Sequence, residues 1–189
     1  MGFSLAPKVG TQSRMTNSPS RIEPMPDIIA KTYYDTPMGP VEIAATERGV
    51  ASLIFQAYPT YEIEPQHDSL LATIEQLEEY FAGERTHFTV FLDLMGTPFQ
   101  QRVWRRLMEI PLGQTMTYGE VAKAIASPDA TRAVGNACGR NQHWLLVPCH
   151  RVIGADGQLT GYAGGLKRKR WLLHHEWGIL HGKQGSLFE

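Results

Sequence analysis

Short apolar runs separated by turn-forming residues occupy the chain after residue 27. Runs at 28–34, 41–46 and 50–55 combine apolar, aromatic and β-branched residues, and clusters rich in Pro, Gly and charge divide them. This pattern predicts three strands joined by turns. From residue 67 to 81 the apolar positions change to helical spacing, and Gly83 follows as a stop signal. Residues 88–94 alternate again and predict a further strand.

These elements predict a small N-terminal α+β domain at residues 27–94, with a mixed or antiparallel sheet and one helix. Beyond residue 94 helical spacing predominates. Thr97 precedes Pro98 as a cap and first-turn pair, and Thr117 with Glu120 forms a capping box before a short helix. Residues 95–189 are therefore predicted to form a mainly helical C-terminal domain.

A turn at 127–129 leads from that short helix into a second one at 131–140. Two short helices around a tight turn predict a helix-turn-helix, although a plain helical hairpin in a core has the same pattern. Small residues let a helix backbone approach a partner closely, and arginines reach phosphates or base edges. The residues of the second helix that we expect at a DNA surface are Thr131, Arg132, Ala133, Gly135 and Arg140.

Charge is divided unevenly between the two halves of the chain. Residues 1–96 contain 6 Lys and Arg against 13 Asp and Glu, whereas residues 97–189 contain 12 against 6. A basic half joined to an acidic half indicates that one part meets a polyanion, although chance segregation of surface charge gives the same totals. The asymmetry supports nucleic-acid binding by the C-terminal half without establishing it.

Cysteine content and the N-terminal sequence indicate the compartment. Residues 1–26 lack the apolar core of a secretory signal and are predicted to be a flexible tail, and no apolar run is long enough to cross a membrane. The two cysteines, Cys138 and Cys149, are too few for a disulfide framework or a four-thiolate zinc site and suit a reducing interior. We expect a cytoplasmic protein.

Cys149 is the candidate nucleophile, in a Pro-Cys-His-Arg segment at 148–151. The thiolate is the reactive form of cysteine, and positive charge on His150 and Arg151 is expected to favour it. Adjacent side chains diverge in strands and helices, so a turn at Pro148 or a bridging water is needed to connect Cys149 with His150. A third group should orient the imidazole. Spacing alone does not distinguish this arrangement from a buried structural cysteine.

The wider sequence resembles the O6-alkylguanine-DNA alkyltransferases, also called methylated-DNA–protein-cysteine methyltransferases. Pro-Cys-His-Arg-Val-Ile-Gly at 148–154 and Gly-Tyr-Ala-Gly-Gly at 161–165 carry the resemblance most clearly. Further matching segments lie at 36–40, 96–104, 110–113, 117–122, 132–135 and 170–176. The resemblance implies a ribonuclease H-like N-terminal domain, followed by a helix-turn-helix domain that contains the active-site cysteine.

The resemblance also implies catalytic roles. In similar proteins the cysteine of this segment accepts an alkyl group from guanine O6, which gives that role to Cys149. His150 corresponds to a base that acts through a water, and Glu176 to the carboxylate that orients it. Tyr118 resembles the tyrosine that gives a proton or a hydrogen bond to the purine. The thioether product is stable, so each molecule acts once, and no cofactor is needed.

Double-stranded DNA containing O6-alkylguanine is the partner that the resemblance implies. The target nucleotide must rotate out of the stack, at a cost of roughly a few kcal/mol, and Arg132 matches the arginine that fills the gap. The helix at 131–140 becomes a recognition helix in the minor groove. Asn141 matches the asparagine that joins this helix to the active-site strand. The guanine pocket is expected to be walled by Pro148, Tyr162, Ala163, Gly164 and Gly165.

Three departures from the family pattern change the expectations. Residues 142–144 read Gln-His-Trp where many members have a proline-containing linker, so we expect a looser turn at Asn141 and different packing of Trp144. Ala163 stands where some relatives have a serine, which leaves its backbone N–H to hold O6 and alters the tolerance for bulky alkyl groups. Residues 1–96 contain no cysteine, so we expect no zinc and no other metal.

Alternative interpretations remain open from the sequence. The basic run at 167–170 fits either phosphate contact or a solvated helix face. A DNA-binding regulator that transfers nothing shares the charge and helix patterns. A cysteine hydrolase using Cys149 and His150 is a second alternative, but catalytic Cys and His are normally distant in sequence. We expect a monomer, with cooperative assembly along DNA left open.

Overall fold

The computed structural model describes residues 27–57 and 67–182. Its first unit is an antiparallel sheet in which β1 (Ala30–Thr36), β2 (Gly39–Thr46) and β3 (Gly49–Phe55) are neighbours in chain order. Alternation along β2 places Val41 and Ile43 in a fully buried core. The three predicted strands are confirmed, whereas the tail predicted at 1–26 lies outside the described residues.

Helix α1 (Asp68–Ala82) packs against this sheet. Gly83 closes the helix in the left-handed conformation, at φ 84°, so the stop signal is confirmed. Leu70, Leu77 and Tyr80 are buried, whereas Leu71, an apolar residue of the same helical segment, is 49% exposed. The buried face is therefore rotated toward Tyr80, a residue that the apolar periodicity did not single out.

Residues 88–94 do not form the predicted strand. The segment makes one parallel bridge to β3, between Leu92 and Val50. The backbone N–H of Thr89 donates to the side chain of Gln76 on α1, and Phe91 is 84% exposed. A strand would use the Thr89 N–H to pair with a neighbouring strand, but here the Gln76 side chain accepts that hydrogen bond. The segment therefore bridges to β3 at one point and does not extend the sheet.

The second unit begins with three helices. These are α2 (Pro98–Met108), α3 (Tyr118–Ala124) and α4 (Thr131–Gly139), and α4 packs against both of the others. On α2 the Trp104 indole N–H donates to the Ala137 carbonyl of α4 at 2.8 Å, which fixes the two helices together in a buried core. Helices α3 and α4 form the helix-turn-helix predicted from the sequence.

Local capping explains where two of these helices begin. Thr97 accepts a hydrogen bond from the backbone of Gln100, whose side chain returns one to the Thr97 N–H. Thr117 and Glu120 make the same reciprocal pair at the start of α3. Such a box satisfies two backbone donors that the helix itself leaves free. Both starts agree with the predicted capping signals.

The remaining elements connect the helix-turn-helix to the end of the chain. Two-residue strands β4 (Met116–Thr117) and β5 (Val152–Ile153) pair in parallel, a 3₁₀ turn (Cys149–Arg151) precedes β5, and α5 (Leu166–His181) follows. The segment expected to be the active-site strand therefore consists of the 3₁₀ turn followed by the two residues of β5. Among the described residues, no helix combines the length and apolar character needed to span a membrane. The domain boundary at 94/95 stays a prediction.

Strand β3 holds the segment that follows α4. The backbone N–H of Leu53 donates to the Gln142 carbonyl at 2.8 Å, and the Leu53 carbonyl accepts from the Trp144 N–H at 3.0 Å. The ring of Trp144 lies 5.6 Å from that of Phe55, between centroids. The expectation of a loose turn at Asn141 is wrong, because the first unit binds the residues after it and Asn141 itself is only 2% exposed.

The basic run at 167–170 lies inside α5, and its residues have different surroundings. Arg168 donates to the Met38 and Gly164 carbonyls and lies over the Phe55 ring, which joins the two units. Lys169 is fully buried. Neither phosphate contact nor a solvated face describes these two residues, because internal carbonyls already bind both cations. Phosphate contact and a solvated helix face remain alternatives only for Lys167 and Arg170, which are exposed.

Candidate active site

Cys149 opens the 3₁₀ turn that follows Pro148 and is 3% exposed. The Arg151 backbone N–H closes the turn by donating to the Pro148 carbonyl at 3.0 Å. Asn141 donates its side-chain N–H to Cys149 Sγ at 3.2 Å and to the Val147 carbonyl at 2.9 Å. The turn that the sequence required at Pro148 is present, and Asn141 fixes the direction of the thiol.

The surroundings of Cys149 disfavour its thiolate. Burial raises the pKa of the Cys149 thiol to about 11, against the weaker opposing effect of the Asn141 hydrogen bond. Arg151 directs its guanidinium at a buried carboxylate. The expectation that His150 and Arg151 favour the thiolate is wrong, because burial outweighs the neighbouring charge. Cys149 is a thiol in the resting protein, so a base must remove its proton before it can attack.

His150 has the properties of that base. Its Nε2 lies 2.7 Å from Glu176 Oε1, so we assign the ring proton to Nε2 as donor to the carboxylate. Its Nδ1 is buried and has no hydrogen-bond partner among the described residues. Burial lowers the pKa of His150, although the charge of Glu176 acts in the opposite direction. The imidazole is neutral at pH 7, with Nδ1 free to accept a proton.

Glu176, on α5, is a fully buried carboxylate surrounded by donors. Arg151 binds it with two guanidinium nitrogens, Nε to Oε2 at 3.0 Å and Nη2 to Oε1 at 2.9 Å. The Gly113 backbone N–H and the Tyr80 hydroxyl add bonds of 3.1 and 3.0 Å. Burial alone would raise the pKa of Glu176, but His150 and Arg151 outweigh it and hold that pKa well below its usual range. Glu176 is an anion placed to stabilise a protonated His150.

A pocket of 210 Å³ borders Cys149. Of the predicted pocket residues, Tyr162 and Ala163 line it. Gly164 and Gly165 do not, because the chain turns there into α5 and they line a separate groove, and Pro148 faces another groove behind the turn. Residues of α3, α4, the 3₁₀ turn and the loop before α5 line the pocket. They are Tyr118, Gly135, Cys138, Gly139, Cys149, Gly161, Tyr162 and Ala163.

Tyr118 and Lys169 meet at the loop that closes this pocket. The Tyr118 hydroxyl donates to the Thr160 carbonyl at 3.0 Å, and Lys169 Nζ donates to the same carbonyl at 2.7 Å. Lys169 also donates to the carbonyls of Gly161 and Val152. Burial lowers the pKa of Lys169 to about 8. Lys169 thus ties the loop to α5 and brings positive charge beside the Tyr118 side of the pocket.

One face of α4 is open to solvent beside the pocket. Four of the five residues predicted at the DNA surface are exposed, and Gly135 is half-buried at the pocket wall. A side chain at Gly135 would meet the Tyr118 ring at 3.9 Å. The opposite face of α4 packs into the core through Val134 and Ala137. The exposed positions are Thr131, Arg132, Ala133, Asn136, Gly139 and Arg140.

Comparison with known proteins agrees with this geometry. The family model described as 6-O-methylguanine DNA methyltransferase, DNA binding domain, matches residues 98–178, and the model of the ribonuclease-like domain of the same methyltransferase matches residues 29–94. The methylated-DNA–protein-cysteine methyltransferase of Mycobacterium tuberculosis (strain H37Rv) is 49% identical over 147 residues, covering 75% of this chain and 88% of that protein. The chain belongs to the 6-O-methylguanine DNA methyltransferase family.

Other members of the methyltransferase family are similar over most of the chain. The methylated-DNA–protein-cysteine methyltransferase of Methanosarcina acetivorans is 47% identical over 149 residues, covering 76% of this chain and 95% of its own. The crystal structure of M. tuberculosis OGT in complex with DNA superposes with a TM-score of 0.72 at 46% identity, covering 79% of this chain and 93% of that one. The predicted two-domain α+β fold is confirmed.

The structure brings several of the predicted site residues together and adds residues that were not predicted. Asn141 reaches the Cys149 thiol, His150 and Glu176 form a bonded pair, and Tyr118 lines the same pocket as Cys149. Sequence reasoning missed other contributors to the site. Lys169 was considered only as part of a basic run and Cys138 only as the second thiol, and the other missed contributors are Tyr80 and Gly139.

Proposed function

We propose that this member of the methyltransferase family repairs DNA by moving an alkyl group from guanine O6 onto Cys149, once per molecule. The observation that carries the proposal is that the Cys149 thiol borders a pocket beside the helix-turn-helix, directly next to a buried His150–Glu176 pair. The relatives named methylated-DNA–protein-cysteine methyltransferase support the reaction. The relative solved with DNA supports DNA as the partner.

The chemical step starts from the protonated thiol. His150 Nδ1 takes the Cys149 proton through a water, and the anionic Glu176 stabilises the imidazolium that forms. The sulfur attacks the carbon attached to guanine O6, so an S–C bond forms as the C–O6 bond breaks. The bonding electron pair stays with guanine, which then gains a proton. The product is a thioether on Cys149, and the step uses no cofactor.

Tyr118, on the wall of the same pocket as Cys149, prepares guanine as a leaving group. The Tyr118 hydroxyl, which donates to the Thr160 carbonyl in the free protein, turns to give a hydrogen bond or a proton to the purine, while Lys169 stays bound to that carbonyl. Ala163 offers only its backbone N–H to O6. The small residues on the neighbouring wall, Gly135 and Gly139, leave room for the base and its alkyl group.

The DNA-facing part of the proposal rests on α4. Its exposed face is built of small residues flanked by Arg132 and Arg140, which suits a close approach in the minor groove. Arg132 fills the gap that the rotated nucleotide leaves in the stack. The active unit of this proposal is a monomer. Both cysteines are free thiols, which suits a reducing, cytoplasmic setting.

Intact-mass measurement tests the proposal directly. The protein is incubated with duplex DNA carrying one O6-methylguanine, and the Cys149 peptide is then analysed. We expect one added CH₂ per molecule and an equal amount of restored guanine. Tight DNA binding with no adduct would support a regulator that transfers nothing, and repeated release of product would support a hydrolase.

Arg132→Ala is expected to slow transfer from duplex DNA by about 10- to 100-fold, because nothing then fills the stack while the base is rotated out. Transfer from free O6-benzylguanine should stay within about threefold of the wild-type rate, since a free base needs no rotation. Arg140→Ala is the matched control: it removes the same charge from the other end of α4 and should weaken DNA binding instead. Single-turnover rates measured at saturating DNA separate slower transfer from weaker DNA binding. Equal losses of rate on both substrates would contradict a role for Arg132 in rotating the base out of the stack.

A further inference from the structure

Tyr80 connects the N-terminal unit to the buried network around Cys149. It lies on α1, is 1% exposed and stands 96 residues before Glu176 in the chain. Its hydroxyl donates to Glu176 Oε1 at 3.0 Å, and the same oxygen accepts from His150 Nε2 at 2.7 Å. The oxygen that orients the base is therefore shared with a donor from the other structural unit.

Packing holds the Tyr80 ring independently of this hydrogen bond. The ring lies 5.2 Å from Phe81 and 5.4 Å from Phe88, between centroids. The ring of His175 stands 5.1 Å away, and its Nε2 is 2.9 Å from the Tyr80 backbone carbonyl. An aromatic ring alone satisfies these contacts, so a phenylalanine would fill the same space. The hydroxyl adds the bond to Glu176.

We propose that Tyr80 is a positioning residue for the alkyl-transfer reaction: its hydroxyl holds Glu176 Oε1 in place and withdraws negative charge from the oxygen that His150 uses. The inference rests on the proposed function of Cys149 and His150. Tyr80 touches neither the substrate nor the thiol, and it acts only through Glu176. The N-terminal unit thereby contributes to the chemistry of the C-terminal site.

The direction of the effect follows from the charge on Oε1. A donor at this oxygen makes it a weaker partner for a protonated imidazole, so it lowers the proton affinity of His150. Removing the hydroxyl leaves the carboxylate more negative at that atom and raises the pKa of His150. A protonated His150 cannot take the Cys149 proton, so the acidic limb of the rate–pH profile moves to higher pH.

Other ionisable groups around the pair are unchanged by removal of one phenol oxygen. Two flank His150 in its own turn, and α5 and the loop before α5 supply the rest. The buried phenol of Tyr80 has its pKa raised well above the ordinary value, by burial first and by Glu176 second, so it remains a neutral donor. The unchanged groups are Cys149, Arg151, Lys169, Tyr162 and His175.

Tyr80→Phe tests the inference because it deletes only the hydroxyl. We expect transfer from O6-methylguanine DNA to slow about fivefold on the acidic side of the profile and less than about twofold at high pH, which corresponds to a shift of about 0.7 pH unit. DNA affinity should be unchanged. Tyr34→Phe, which removes a hydroxyl from a ring packed against the same core cluster, is the matched control and should shift nothing.

Two outcomes would overturn the role of Tyr80. One is a loss of rate that is equal at every pH, and the other is a profile identical to that of the wild type. NMR titration of His150 in both proteins gives an independent readout, with a pKa expected to be about 0.7 unit higher in Tyr80→Phe. If the wild-type protein transfers no alkyl group at all, the proposed function fails, and the titration still decides whether Tyr80 controls His150.

Discussion

Glu176→Gln is expected to lower the free energy of unfolding by about 3–5 kcal/mol and to slow alkyl transfer by about 100-fold or more. The side chain of Arg151 is 7% exposed, and its remaining partner in the network is the Ile110 carbonyl. Glutamine keeps the size of the side chain but removes the charge, so the guanidinium stays buried without a counterion. His150 at the same time loses the carboxylate that stabilises its protonated form.

Denaturant unfolding at several pH values measures this prediction. The pKa of Glu176 is depressed in the folded protein, so its contribution to stability is fully present above about pH 5, near and above the unfolded value of about 4.3. That contribution is lost as the pH falls from there toward the depressed folded value. The difference between wild type and Glu176→Gln should therefore be constant at neutral pH and shrink in acid.

Two further variants test whether the lost stability comes from the buried guanidinium that is left without a counterion. Glu109→Gln breaks a surface pair with Arg106, in which the glutamate side chain is 66% exposed, and should change the free energy of unfolding by less than about 1 kcal/mol. Joint replacement of Glu176 by Leu and Arg151 by Met removes both buried charges and should recover much of the stability without recovering transfer. Unchanged stability in Glu176→Gln alone would contradict the buried ion pair.

The parts of this fold that local chemistry determines were predictable from the sequence. Capping boxes at Thr97 and Thr117 and the glycine stop at Gly83 act over three or four residues, so a short window contains the whole cause. The segment 88–94 shows the limit of that approach. Its alternation is typical of a strand, yet a distant helix side chain, Gln76, takes the Thr89 N–H.

The active-site network depends on contacts that no local pattern contains. Family motifs identify Cys149, His150 and Glu176, but the surroundings that set their protonation come from elsewhere in the chain. Tyr80 looks like one more aromatic residue of an amphipathic helix until the fold places it at Glu176. Lys169 looks like part of a basic surface run, and burial among carbonyls turns it into an internal cation. Burial likewise reverses the expected protonation state of Cys149.

Cys149→Ser is expected to bind O6-methylguanine DNA with an affinity within about threefold of the wild type and to form no adduct, a loss in transfer rate of at least about 10³-fold. Serine is nearly the same size, and the Asn141 side chain can donate to its hydroxyl as it does to the thiol. The hydroxyl is a far weaker nucleophile, because its proton is harder to remove and oxygen is less polarisable than sulfur.

Cys138→Ser is the matched control, because Cys138 is the second thiol of the chain, is 6% exposed and lines the same pocket. Burial raises the pKa of Cys138 to about 12, and the side chain of Asn141 donates to Cys149 Sγ. We therefore expect Cys138→Ser to gain one methyl group on Cys149, whatever its change in rate. Peptide mass mapping of both variants decides the assignment. A methylated Cys138 in the Cys149→Ser protein would move the acceptor to the helix side of the pocket and leave the His150–Glu176 pair without its nucleophile.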